Sequence, residues 1–346
     1  MVVDGRAIGP GSPCFVIAEV GVNHDGDEAR AVELIGAAAD AGADAVKFQL
    51  FSAEKLATPG APKAAYQVET TGLAESQLEM LRKLELSLES HRRLRDHCRS
   101  LGLMYLATPF DLESIDVLVG LDVPALKIGS GDVTNTPLLA HAATTGLPIV
   151  LSTGMSYLHE IEAALDTLRE AGAGDIVLLH CVSAYPAEAE DVNLRAMATL
   201  RETFGVPVGF SDHTLGTSVA LAAVALGACV LEKHLTLNPS LPGPDHRSSL
   251  DPRAFARLVG ELRDVEAALG NGTKAPAPGE EPNRQIARRS LAAAQSIPAG
   301  TVLTREMLMT LRPAAGIEPT KIAAMVGQKT TRTLAAGELL GPNDVA

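Results

Sequence analysis

Short, almost continuously apolar runs recur along this chain, separated by longer segments in which apolar residues return every three or four positions. The runs are CFVIAEVG (14–21), AVKFQLF (45–51), LMYLATPF (103–110), ALKIGSG (125–131), PIVLSTG (148–154), IVLLHCVSAYP (176–186), VGFSDH (208–213) and CVLEKHLT (229–236). An unbroken apolar run suits a parallel strand covered on both faces, whereas a half-exposed strand alternates. The intervening segments carry helical spacing. In DEARAVELIGAAADAG (27–42), Ala31, Leu34, Ile35 and Ala38 fall on one face. The stretch 76–102 is long enough for two helices, and DPRAFARLVGELRDVEAALG (251–270) opens with Asp251 as cap and Pro252 in the first turn. Eight strand–helix alternations predict a (β/α)8 barrel. The competing arrangement is a doubly wound open sheet. The count of eight, and the lack of an early GxGxxG, favour the barrel.

After Gly270 the pattern changes. NGTKAPAPGEEPN (271–283) is rich in Pro and Gly, and residues 271–285 are expected to link the barrel (1–270) to a small β-rich domain (286–346). Within that domain SIPAGTVLT and LAAGELLGPND look like two related turn units.

Polar residues gather where the strands end, which in such barrels is where chemistry sits. The ends supply Glu19, Asn23 and His24; Lys47 and Gln49; Thr108; Lys127, Ser130 and Asp132; Ser152 and Thr153; Ser183 and Tyr185; Ser211, Asp212 and His213; and Glu232, Lys233 and His234. A single polar strand end is ordinarily a solvated or capping group. Eight on one face would cost several kcal/mol each if buried without partners, so they are expected to face a ligand. His213 and His234 end neighbouring strands, which lie about 4.8 Å apart. They can share a metal ion, or simply hydrogen-bond at the barrel mouth. Lys47 and Lys127, with Thr108, Ser130 and Ser152 near them, suit a phosphate-bearing anion; a Schiff base is the rival use of a lysine. Two lysines beside a metal site favour the anion.

Composition narrows the partners. The formal net charge of -13 argues against nucleic acid, and no stretch approaches the roughly 20 apolar residues of a membrane span. The N-terminus lacks the charged start and apolar core of a secretory signal. Cys14, Cys98, Cys181 and Cys229 are scattered and are expected to be buried reduced thiols. The chain reads as cytoplasmic.

Taken in order, IAEVGVNHDG (17–26), LATPF, LKIGSGDVTN (126–135), LSTGM, LLHCVSAYP (178–186), GFSDHT (209–214), LEKHLT (231–236) and PGPDHRSS (242–249) resemble the N-acetylneuraminate synthase family over nearly the whole chain. ARRSLAAAQSIPAGTVLT (287–304) and LRPAAGIEP (311–319) resemble its antifreeze-like (SAF) domain. The resemblance implies a transferase that condenses phosphoenolpyruvate with N-acetylmannosamine, adds water and releases phosphate by C–O cleavage. The alternative product is N,N'-diacetyllegionaminate, from 2,4-diacetamido-2,4,6-trideoxymannose. It implies a divalent cation, Mn²⁺ or Mg²⁺, on His213 and His234, and Glu19 as the catalytic base. It further implies phosphoenolpyruvate on Lys47, Thr108, Lys127, Ser130, Ser152, Ser183 and Ser211. The sugar would meet Gln49, Asp132, Tyr185 and Asp245, together with Arg312 from the partner of a domain-swapped homodimer. Asp132 stands where the family often has Glu, which implies a shorter reach or a different sugar. Ser183 stands where some members have Asn. The segment 61–80 is expected to lie over the sugar as a lid.

Overall fold

A computed structural model describes every residue except 73. The eight expected strands form at Phe15–Gly21 (β1), Ala45–Leu50 (β2), Met104–Pro109 (β3), Leu126–Ile128 (β4), Ile149–Ser152 (β5), Ile176–Cys181 (β6), Val208–Asp212 (β7) and Val230–His234 (β8). Their hydrogen-bonded order is β3-β2-β1-β8-β7-β6-β5-β4, all parallel, and β3 lies beside β4 without a ladder between them. The result is a nearly closed barrel of the predicted class.

Strand alternation sorts the side chains into two shells. Outward residues such as Val16, Ala18, Val46 and Leu231 pack against the surrounding helices in the main core. The inward residues Phe15, Ile17, Ala45, Leu106, Ala125, Val150, Val177 and Val230 fill the lower barrel, together with Val3 and Ile8 from the N-terminal hairpin. Above that apolar plug the inward positions turn polar.

The helices form as expected, whereas two strands stop early. The stretch 76–102 holds two helices, Gln77–Leu84 and Leu88–Ser100, the second capped by the Ser87 side chain on Ser90 N. β4 stops at Ile128 because Gly129 leads into a 3-10 turn, Ser130–Asp132. β6 stops at Cys181, well short of residue 186. Asp251 caps Pro252–Leu269 through Ala254 N, with Pro252 in the first turn. The expected lid contains the short helix Ala65–Thr71 and the start of Gln77–Leu84; residue 73 lies outside the described residues.

Two buried histidines outside the barrel's polar layer tie stability to pH. His91 Nδ1 shares a 2.6 Å hydrogen bond with the Tyr105 hydroxyl, and His24 Nδ1 accepts from Gly26 N at 3.0 Å. Burial lowers both to about 4, in His24 against an opposing pull from Asp25. The folded state therefore resists a proton that the unfolded chain accepts near pH 6.5, so stability is full above 6.5 and declines as pH falls towards 4. Going from pH 7 to pH 5 is expected to cost about 2 kcal/mol for each histidine. Urea unfolding at the two pH values measures this. His91→Gln, which keeps a partner for Tyr105 but cannot charge, should remove its share; an unchanged slope would assign the loss elsewhere.

The chain divides into two compact units, Met1–Gly270 and Asn271–Ala346. The second contains the helix Glu281–Ala287, within and just beyond the stretch read as linker, and antiparallel strands Ser290–Ala293 (β9) and Leu308–Leu311 (β10). Its core is Leu291, Ala293, Ile297, Leu303, Leu308, Leu334 and Leu340. The two related turn units meet there, Ile297 and Leu334 exchanging both backbone hydrogen bonds. No helix among the described residues is long and apolar enough to cross a membrane.

Candidate active site

The upper inward layer of the barrel surrounds a cavity of about 370 Å³. Of the residues singled out in the sequence, Glu19, Lys47, Gln49, Thr108, Lys127, Ser130, Ser152, Ser183, Tyr185, Ser211, His213, His234 and Asp245 all line it. Asp132 does not. The 3-10 turn after Gly129 aims its Oδ1 at Asn135 Nδ2, 2.9 Å away, so the short side chain fastens the turn instead of reaching the cavity. Arg312 is an exposed residue of the second unit.

Both lysines lie beside carboxylates as well as hydroxyls. Lys47 Nζ is 2.9 Å from Glu19 Oε2, 3.8 Å from Glu232 Oε2, and donates to Thr108 Oγ1 at 3.1 Å. Lys127 Nζ donates to Ser152 Oγ at 2.8 Å and is 3.6 Å from Glu232 Oε1. Glu232 thus lies between the two ammonium groups, and its Oε1 also accepts from Ser211 at 2.9 Å. Sequence reading noted Glu232 only as a polar strand end. Its two-residue spacing from His234 on β8 places both on the inner face, and that parity was the signal available. The same parity corrects three neighbours. Lys233 and Asp212 face outward and pair at 2.7 Å, both fully buried, and Thr153 donates outward to Leu179 O.

Burial raises Glu19 to about 7, since Lys47 only partly offsets the loss of water and Glu232 adds repulsion. Burial would likewise raise Glu232, but Lys127, Lys47 and the Ser211 hydroxyl outweigh it and hold it below the ordinary range. Burial works to lower Lys47, yet Glu19 and Glu232 keep it raised. Lys127, for which burial wins over Glu232, is lowered. Asp245 is pushed by burial up to about 6, with His246 and Lys47 opposing.

Two glycines keep the cavity open. A Cβ at residue 154 would stand 2.8 Å from Cys181 Sγ and 3.0 Å from Ser130 Oγ, and would meet Ser183 Oγ as well. The bare backbone there leaves a cradle of hydroxyls, and Gly154 N itself donates to Ser130 Oγ at 2.9 Å. Gly21, at φ +54, lets Glu19 Oε1, Gln49 Nε2 and Asp245 Oδ2 converge within 3.1 to 3.6 Å of where its Cβ would be.

Opposite the lysines, His213 and His234 lie with ring centroids 5.5 Å apart, and Tyr185 packs at 4.2 Å from the first and 5.8 Å from the second. Burial lowers both histidines, so both are neutral at pH 7. His213 Nδ1 donates to Val182 O at 2.7 Å, which leaves Nε2 as the acceptor nitrogen, with Ser211 Oγ a long 3.5 Å away and its proton directed to Glu232. His234 Nδ1 is buried without a hydrogen-bond partner, 4.0 Å from Asp245 Oδ2. Neutral imidazoles with unspent ring nitrogens are what a divalent cation requires. Among the described residues no group of three or more His, Cys, Asp or Glu could hold an ion, so water and substrate oxygens would have to complete the coordination.

The rest of the lining was missed in the sequence as chemistry. Val22, Met80, Leu81, Leu84 and Phe110 form an apolar wall, and Tyr66 and Gln67 reach in from the lid helix.

Comparison with known proteins gives the family. Residues 34–274 match the NeuB family and residues 288–346 the SAF domain. The chain is 47% identical to the N,N'-diacetyllegionaminic acid synthase of Legionella pneumophila, over 96% of this chain and 94% of that one. It is 46% identical to the protein of the same name from Campylobacter jejuni, over 94% and 98%. A crystal structure of N-acetylneuraminic acid (sialic acid) synthetase from Leptospira borgpetersenii superposes with a TM-score of 0.72 at 34% identity, covering 82% of this chain and 94% of that one.

Proposed function

This chain belongs to the NeuB family, and from that premise we propose that it joins phosphoenolpyruvate to 2,4-diacetamido-2,4,6-trideoxymannose to make N,N'-diacetyllegionaminate. The observation that carries the reaction class is the pairing, in one cavity, of two lysines among hydroxyls with two neutral imidazoles. The sugar follows from the two relatives named for that product and from the apolar wall, which suits a methyl at C6 and acetyl methyls. N-acetylneuraminate synthesis is the second reading, favoured by the likeness to the Leptospira structure.

In this reading Lys47 and Lys127, with Ser130, Ser152, Ser183 and Ser211, hold the phosphate and carboxylate of phosphoenolpyruvate. Gln49, Tyr185 and Asp245 orient the sugar, and Arg312 of a second copy completes its contacts in a domain-swapped dimer. His213 and His234 would hold Mn²⁺ or Mg²⁺, which when bound supplies Lewis-acid polarisation of a carbonyl. C3 of phosphoenolpyruvate attacks the sugar aldehyde carbon. Glu19 takes a proton from the water that adds at C2 and passes it to the former aldehyde oxygen, which becomes a hydroxyl. The C–O bond to phosphate then breaks, the new C2 hydroxyl giving its proton to the departing phosphate as the ketone forms.

Phosphate release with each sugar, in manganese buffer and after chelation, tests the proposal. The diacetamido sugar is expected to be used at least about tenfold better by kcat/KM, the size of one or two well-placed apolar contacts. Preference for N-acetylmannosamine would move the chain to the second reading. Undiminished turnover after chelation would remove the ion from it.

A further inference from the structure

A row of rings leads outward from the imidazole pair. His213 packs on Tyr185 at 4.2 Å, and Tyr185 packs on Tyr66 of the lid helix Ala65–Thr71 at 5.0 Å. A sugar whose reacting carbon lies at the imidazoles therefore presents its far substituents to the lid. There the next residue, Gln67, also lines the cavity. Its carboxamide has a determined orientation. Ala64 N donates to Oε1 at 2.9 Å, so that atom must be the oxygen, and the other terminus is the amide nitrogen. The only contact of that nitrogen among the described residues is a long one, 3.4 Å to the Tyr66 hydroxyl. Its second proton is uncommitted.

The helix that carries Gln67 is braced. Lys63, its side chain 2% exposed, donates to Thr71 Oγ1 at 2.9 Å and to Gly72 O at 3.1 Å, and pairs with Glu75 Oε1 at 3.2 Å. One cation thus ties the segment before the helix to its end, and the carboxamide is set in place before any ligand arrives. Met80, also in the lining, contacts Thr71 through its sulfur and supplies an apolar neighbour.

We infer that Gln67 is a specificity residue, donating from Nε2 to the acyl oxygen of the acetamido group farthest from the reacting carbon, while Tyr66 and Met80 contact that group's methyl. The inference rests on the reading of the chain as a diacetamido-sugar synthase. An acyl oxygen is an acceptor only, and it stands two bonds farther from the sugar chain than a hydroxyl oxygen on the same carbon. A donor placed to meet the first falls short of the second.

Gln67→Glu isolates the donor. A carboxylate still accepts from Ala64 N and keeps the helix capped, but it offers no proton to the sugar. Gln67→Ala removes cap and donor together, and thermal melting of both variants shows that the folded state persists. The readout is kcat/KM for 2,4-diacetamido-2,4,6-trideoxymannose divided by that for N-acetylmannosamine, with KM and kcat separated. In Gln67→Glu this ratio is expected to fall about tenfold, mostly through KM, the size of one hydrogen bond to a neutral partner. A ratio equal to that of the native chain, or equal losses with both sugars, would overturn the role of Gln67 while leaving the function intact. A native chain that turns over neither sugar with phosphoenolpyruvate would overturn the function and this inference with it.

Discussion

Glu19→Gln is expected to lower turnover about 10²- to 10⁴-fold, the usual worth of a positioned general base. The replacement is nearly isosteric, so the convergence over Gly21 is kept and only the proton acceptor is lost. The pH profile separates this from a packing defect. Burial raises Glu19 to about 7, and only its ionised form accepts a proton. In the native chain kcat/KM should therefore climb with pH up to about 7 and level off above it. Burial lowers His213 and His234 below the ordinary imidazole range and raises Asp245 only to about 6, so the part of the limb that ends near 7 belongs to Glu19. In Glu19→Gln the limb should disappear. Initial rates of phosphate release over roughly pH 5.5 to 8.5 decide the matter. Full activity in the variant, or an unchanged limb, would take the proton-transfer role away from Glu19.

Lys233→Met is expected to cost about 3–5 kcal/mol of stability, because it strands a buried carboxylate. Lys233 Nζ donates to Asp212 Oδ2 and to Thr214 O, and both members of the ion pair have no exposed side-chain surface. Asp212 Oδ1 in turn holds Thr214 N and its hydroxyl at 2.9 and 2.8 Å. Removing the cation leaves Asp212 Oδ2 without a partner and a buried carboxylate held only by the neutral donors of Thr214. The loss would be read as a shift of the urea midpoint at constant slope. Adding Asp212→Leu should recover part of it, since an apolar pair removes the stranded charge but also the Thr214 bonds. A loss below about 1 kcal/mol would mean that water reaches Asp212 in the variant.

How far all this was visible beforehand depended on the range of the interaction concerned. The eight strands were legible because a strand covered on both faces must be apolar along its whole length, a local property. The helix break between Leu84 and Leu88 was only half legible: the stretch was too long for one helix, but Ser87 as cap shows its role only in three dimensions. Twelve of the thirteen cavity residues named above were legible because they sit at or just past strand ends, which the barrel must bring to one rim, and Asp245 only through the PGPDHRSS resemblance. Asp132 was misplaced because GSG announces a turn but not where the next side chain points, and the 3-10 turn directs it to Asn135. The pairing of Lys127 with Glu232 spans 105 residues of chain, and local pattern carries no trace of it. Gln67 escaped notice for the opposite reason: glutamine on a polar helix is ordinary until its cap on Ala64 fixes which atom faces inward.

β8 carries its two duties in alternate letters of one five-letter word. Glu232 and His234 look into the cavity, and Lys233 looks out. The strand therefore has something like a reading frame. Lengthening a loop leaves the frame intact, whereas one residue inserted within Val230–His234 would exchange the two sets, pushing a lysine among the substrate groups and a glutamate into the apolar shell. Chemistry and stability would fail together, although no single residue had been lost. Loops that keep clear of the cavity can thus vary in length at little cost, whereas the strands, and the loops that carry Tyr185, Asp245 and Gln67 over the cavity, cannot.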